Sequence, residues 1–121
     1  MKHRELTNSE LKFAELIWAN APITSMELVH LSESEMNWKK STTFSMLKIL
    51  IEKGIVKHER PVVSVVMSKD EYLERHSRNY IEDTFGGSLP KFLTSFMGRD
   101  RLSDNQVEEL KRLIDEYKEE D

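Results

Sequence analysis

With 121 residues, 38% hydrophobic and 33% charged, the chain is sized for one domain, or a small domain with an appendage, and carries much solvated helix. A cysteine count of zero excludes disulfides, thiolate metal sites and cysteine nucleophiles, and no run of about 18 apolar residues offers a membrane span. No signal peptide precedes the first helical pattern, so a cytoplasmic protein without membrane insertion is expected, and the formal net charge of −4 speaks against nucleic acid only if that charge is evenly spread.

Asn8 or Ser9 is placed to cap a first helix that carries Leu11, Ala14, Ile17 and Trp18 toward a core. Pro22 interrupts, and a second start follows at once. Thr24 and Glu27 have the spacing of a capping box, with Ile23 and Leu28 in the positions of a hydrophobic staple, so a short helix is predicted from about Ser25 to Leu31. The polar run S-E-S-E-M-N then reads as a connection.

The stretch from Trp38 to Lys57, W-K-K-S-T-T-F-S-M-L-K-I-L-I-E-K-G-I-V-K, predicts a third helix with two unlike faces. Thr43, Met46, Leu47, Leu50 and Ile51 recur at the 3.6-residue period and form the buried stripe. The opposite side presents Ser41, Thr42, Ser45, Lys48, Ile49 and Glu52. Short side chains let a helix approach base edges closely, and hydroxyls donate or accept there. An ordinary solvated helix face is equally compatible with this pattern alone. Gly54 supplies a left-handed stop.

The run I-V-K-H-E-R-P-V-V-S-V-V-M-S is rich in β-branched residues and broken at Arg60-Pro61, so two strands and a tight turn are predicted. Three helices followed by a β-hairpin is the winged-helix order, in which the third helix enters the major groove and the wing lies against the backbone. A lone hairpin is marginal, so Val63, Val65 and Met67, or the alternate set, must pack on the helices. The charge distribution suits this reading. Lys2, Arg4, Lys12, Lys39, Lys40, Lys48, Lys53, Lys57 and Arg60 nearly balance the acids before Ser68, whereas the chain ends in E-Y-K-E-E-D. The predicted DNA-binding set is Lys39, Lys40, Ser41, Thr42, Ser45, Lys48, Ile49, Lys57 and Arg60.

Beyond Ser68, a Ser68–Glu71 capping box opens a helix with Tyr72, Leu73, His76, Tyr80 and Ile81 along one side, broken at Gly86-Gly87. Ser88 caps a segment in which Leu89, Phe92, Leu93, Phe96 and Met97 recur at helical spacing before Gly98. Ser103 with Gln106 caps a last helix carrying Val107, Leu110, Leu113, Ile114 and Tyr117. Such short helices are marginal singly, and together they carry more apolar stripe than a small monomeric appendage hides. The expected architecture is mainly α with a small β-hairpin. An N-terminal winged helix-turn-helix over residues 1–68 precedes a three-helix dimerisation module over residues 69–121. Its expected dimer interface is Tyr80, Leu89, Phe92, Leu93, Phe96, Met97, Val107, Leu110 and Ile114.

Other chemistry finds no support. His3, His30, His58 and His76 have no metal-ligand spacing, and neither a Gly-rich phosphate loop nor a nucleophile elbow occurs. No enzyme, metal or cofactor is expected.

The arrangement resembles the penicillinase repressors of the BlaI and MecI type and their copper-responsive CopY relatives. The likeness rests on L-K-F-A-E-L-I-W, T-T-F-S-M-L-K-I-L-I-E-K-G-I-V and S-K-D-E-Y-L-E-R, and most specifically on D-T-F-G-G-S-L-P-K-F-L-T-S-F followed by L-S-D-N-Q-V-E-E-L-K-R-L-I. It implies a homodimeric repressor bound to a palindromic operator in double-stranded DNA and released by a signal. The copper branch uses a C-terminal cysteine cluster, which this chain lacks. The penicillinase branch implies a membrane metalloprotease sensor that cleaves before a phenylalanine matching Phe96, which marks Ser95-Phe96 as the bond. The repressors of that branch carry asparagine where this chain has Ser95, and Phe96 also has a plain role as a stripe residue. The chain departs from the family it resembles in its third helix, where members carry lysine and arginine at the positions of Ser41, Phe44 and Ile49; Thr42 and the Ser45 hydroxyl are retained, and with those cations lost the operator is expected to differ from the penicillinase one. Ile49 and the Thr42 methyl suit a thymine methyl, and Phe44 is expected to be partly buried. The alternative is a winged-helix adaptor that has lost DNA and binds a protein.

Overall fold

The computed structural model of the chain describes residues 5–119. Lys2, His3 and Arg4, and the last two acids of the tail, Glu120 and Asp121, lie outside them. The chain divides into two compact units between Asn79 and Tyr80.

The first unit opens on α1 (Asn8–Asn20), which is capped by Thr7 and not by Asn8 or Ser9. Thr7 Oγ1 accepts the Glu10 N–H at 3.2 Å, and the Glu10 carboxylate accepts the Thr7 N–H at 3.1 Å. That reciprocal pair satisfies two helix-end donors, which a one-sided cap at Asn8 would not. Ala14 and Ile17 are buried as expected, but the deepest large residue of α1 is Phe13, which the stripe reading passed over. Leu11 and Trp18 only pack at the edge of the core.

After Pro22, Ile23–Thr24 forms a short strand, β1, and Thr24 doubles as the cap of α2 (Ser25–Met36), with the predicted capping box intact. The helix does not stop at Leu31. S-E-S-E-M continues it because Ser32 lies on the same stripe as Leu28 and Val29 and is fully buried. Asn37, left-handed at φ 56, ends it. Trp38 therefore sits in the turn, its ring against Phe13 at 5.2 Å, and α3 runs Lys40–Glu52.

On α3 the core residues are Thr43, Leu47 and Leu50. Met46 is half-buried and Ile51 is exposed, so the buried stripe is narrower than the spacing implies. Phe44 is partly buried against the core, as expected. Gly54 at φ 80 turns the chain into the wing. Strands β2 (Val56–Glu59) and β3 (Val62–Val65) pair antiparallel with Glu59 opposite Val62, leaving Arg60-Pro61 as the two-residue turn. The hairpin is not isolated. β1 pairs with β3, Ile23 opposite Val63, giving a three-stranded sheet of order β1-β3-β2. Val63 is buried, with Val65 and Met67 packed beside it. This is the element order of a winged helix-turn-helix.

Helix α4 (Lys69–Phe85) starts from the Ser68–Glu71 box, both bonds at 3.1 Å. Its one buried residue is Tyr72; Leu73 and Tyr80 are exposed. The Tyr72 hydroxyl accepts the Leu6 N–H at 2.9 Å, and the Trp18 indole N–H donates to the Met67 carbonyl at 2.9 Å.

In the second unit Gly86 and Gly87, both at positive φ, close α4 and lead to α5 (Leu89–Phe96), capped by Ser88. Helix α6 (Asp104–Tyr117) is capped by the Ser103–Gln106 box. Tyr80, Phe85 and Phe92 pack edge to face at 5.6–6.2 Å. Yet neither α5 nor α6 buries a single residue. Among the described residues no helix is long and apolar enough to cross a membrane.

Candidate nucleic-acid interface

Helix α3 is fixed from below and open above. Leu47 and Leu50 anchor it in the core, and Thr43 is held twice, by burial and by donating its hydroxyl to the Lys39 carbonyl at 3.1 Å. One residue earlier, Thr42 is exposed. Ser41, Thr42, Ser45 and Lys48 are all exposed, and among the described residues none has a side-chain hydrogen bond or ion pair. Ile49 is half-buried at the margin of the same face. A helix clamped by a dry stripe, with short unpaired hydroxyls outward, reaches base edges without first breaking internal bonds.

The start of α3 adds a feature that side-chain patterning alone did not single out. Helices α1, α2, α4, α5 and α6 open on a Ser or Thr hydroxyl that accepts a first-turn N–H. Helix α3 opens on Lys39, which makes no side-chain cap. Its first-turn N–H groups at Lys40, Ser41 and Thr42 therefore have no intrahelical acceptor, and Lys39 and Lys40 flank them, a combination suited to a phosphate oxygen. The signal was present in the sequence as lysine where every other helix start carries a hydroxyl.

The remaining cations differ in availability. Lys57 on β2 lies 3.3 Å from Glu59 on the same strand, so its charge is shared. Arg60, in the wing turn, has no ion pair among the described residues. The Pro61 carbonyl accepts the Ser25 N–H at 2.8 Å, which ties the turn to the start of α2. The wing is short and its reach is that of one arginine side chain. Lys53 is withdrawn altogether, donating to Glu10 at 2.6 Å and to the Glu5 carbonyl at 2.8 Å. Burial pushes the Glu10 carboxyl up, but the Lys53 and Thr7 hydrogen bonds and the Lys53 charge outweigh it and hold the group below its ordinary value.

Of the residues predicted for self-association, Phe92, Leu93, Phe96, Met97 and Leu110 meet at one cleft within the second unit. Phe92, Leu93, Phe96, Met97, Leu102, Leu110 and Leu113 line a cleft of about 370 Å³. Phe96 is 62% exposed and Ile114 59%. Phe96 stacks on Phe92 at 6.1 Å, and Ser95 beside it is exposed in the last turn of α5. Tyr80 and Leu89 are exposed too, while Val107 is half-buried.

Residues 6–116 match the family model described as penicillinase repressor. The chain belongs to the penicillinase repressor family. The family comprises transcriptional repressors, which are not enzymes, so the chain is a transcription regulator. Among curated proteins it is similar to the penicillinase repressor of Bacillus licheniformis, 25% identical over 118 residues that cover 94% of this chain and 92% of that one. It is also similar to the methicillin resistance regulatory protein MecI of Staphylococcus aureus, 19% identical over 117 residues covering 93% and 95%. The match spans both the winged helix and the helical second half, so the penicillinase repressor likeness is not that of a generic winged helix.

Proposed function

We propose that this chain is a homodimeric cytoplasmic repressor that binds a palindromic operator in double-stranded DNA, one half-site per protomer. Residues 1–68 carry the reading role and residues 69–121 the dimer. The observation that carries the reading is the outward face of α3, clamped from beneath, where the side chains of Ser41, Thr42, Ser45 and Lys48 have no hydrogen bond or ion pair among the described residues. Ser41, Thr42, Ser45, Lys48 and Ile49 face the bases in this arrangement. Lys39, Lys40 and Arg60 meet phosphates, and Lys57 does so once it leaves Glu59.

The dimer reading is supported by α5 and α6, which together expose Leu89, Phe96, Leu113, Ile114 and Tyr117. An apolar surface of that kind on a small unit is ordinarily covered, and a symmetric dimer also supplies two half-sites. Release by a membrane metalloprotease at Ser95-Phe96 fits the same unit, because a cut there would part α6 from α5. Phe96 serves first as a dimer-face residue in this scheme. Incubation with such a sensor should then yield a fragment ending at Ser95; DNA release from an intact chain would reject this route.

The test of the reading role is a gel shift on the chain's own promoter region. Lys48→Ala and Ser45→Ala, in protein shown to remain dimeric, each weaken binding, and Lys48→Ala relaxes specificity at the base it meets. Unchanged binding in both variants would remove α3 from the role. The adaptor alternative draws on the acidic balance of the chain; it requires that no DNA be retained even at low salt.

A further inference from the structure

We infer that α3 specifies its half-site through thymine methyl groups, with Thr42 as the principal reader, and that it takes at most one guanine, through Lys48. This inference rests on the DNA-reading role proposed above and names the class of sequence it selects. The residues available at the outward face are Ser41, Thr42, Ser45, Lys48 and, at the margin, Ile49; Glu52, also exposed on that face, already has a partner. Arginine, asparagine and glutamine are absent from all five positions. Those are the side chains that grip guanine O6 and N7, or adenine N6 and N7, with two bonds at once. A hydroxyl makes single bonds to either kind of base edge and so discriminates weakly. What remains to discriminate is apolar contact.

Two of the five positions carry a methyl, the exposed Thr42 and the half-buried Ile49, two helical turns apart on one side of α3. The neighbouring threonine shows that the orientation matters. Thr43 is 1% exposed and its hydroxyl is bonded to the Lys39 carbonyl, whereas Thr42 is exposed and makes no side-chain hydrogen bond among the described residues. Thymine is the base that presents a methyl in the major groove. Lys48, exposed and without a hydrogen bond or ion pair among the described residues, is the one cation of these five positions and the one placed for a guanine.

The experiment uses the full chain and a duplex obtained by selection from random-sequence DNA. Each thymine of the selected half-site is replaced in turn by deoxyuridine, which lacks only the methyl, and each guanine by 7-deazaguanine, which lacks the N7 acceptor. At least one uracil substitution should weaken binding about three- to tenfold. Thr42→Ser keeps the hydroxyl and removes the methyl, and in that variant this sensitivity should vanish. No more than one guanine should respond, and Lys48→Ala should abolish that response. Indifference to every thymine methyl would overturn the inference while leaving DNA binding intact, as would sensitivity at two or more guanines of one half-site. Failure to retain any duplex would overturn both the inference and the reading role beneath it.

Discussion

At the scale of single residues, Glu10 and Lys53 link the start of the chain to the end of α3 through a contact of 2.6 Å between largely buried groups. Because the Glu10 carboxyl is held below its ordinary value of 4.5 in the folded chain, it contributes stability above that pH. The contribution is lost as pH falls through the lower folded value. Glu10→Gln should therefore cost about 1–2 kcal/mol at neutral pH, and the gap between variant and parent should close in acid. Urea melts of both proteins between pH 7 and pH 3 measure this directly. A gap of constant size across that range would show that the ionised form has no special partner. The same pair explains why counting lysines by sequence position overstates the cationic surface: Lys53 looks available in the sequence and is bound in the fold.

At the scale of elements, α3 separates stability from recognition onto opposite faces. Leu50 is fully buried, so Leu50→Ala should destabilise the protein by about 2–5 kcal/mol. Lys48→Ala, two positions away on the exposed side, should stay within about 0.5 kcal/mol of the parent. Denaturant midpoints read both. Comparable losses at the two positions would mean that the outward face is packed against something and is not a free reading surface. The helix itself was legible in the sequence because its stripe and its glycine stop are local signals. Its neighbour α2 was not read to its end, because a serine on a buried stripe looks polar in the sequence. Only the packing around Ser32 shows that the stripe continues. Strand β1 escaped for a related reason: two residues that cap and staple a helix give no strand pattern, and the pairing with β3 is long-range.

At the scale of the whole molecule, the second unit presents apolar helices whose own residues are nowhere buried. A dimer through this surface predicts that Ile114→Glu, a change at a 59% exposed position, halves the mass in sedimentation while the thermal unfolding of the winged helix persists. Affinity for a two-half-site duplex should then fall by about a hundredfold or more, toward that of a single module, because the linked second site is lost. A monomeric parent at working concentration would overturn this reading, and Ile114→Glu would then change neither mass nor affinity.

The sequence by itself determined the starts of α2, α4, α5 and α6, the wing turn at Arg60-Pro61, the two-faced third helix and the family. All of these depend on residues close together in the chain: capping boxes, glycine stops and periodic stripes. Tertiary structure alone decided that Phe13 and Ser32 belong to the core, that Ile51 does not, that a third strand completes the sheet, and that Lys53 is engaged while Lys48 has no ion pair among the described residues. Those outcomes turn on which distant groups meet. Burial and ion pairing are properties of the surroundings a side chain reaches, and a residue's neighbours in sequence do not report them.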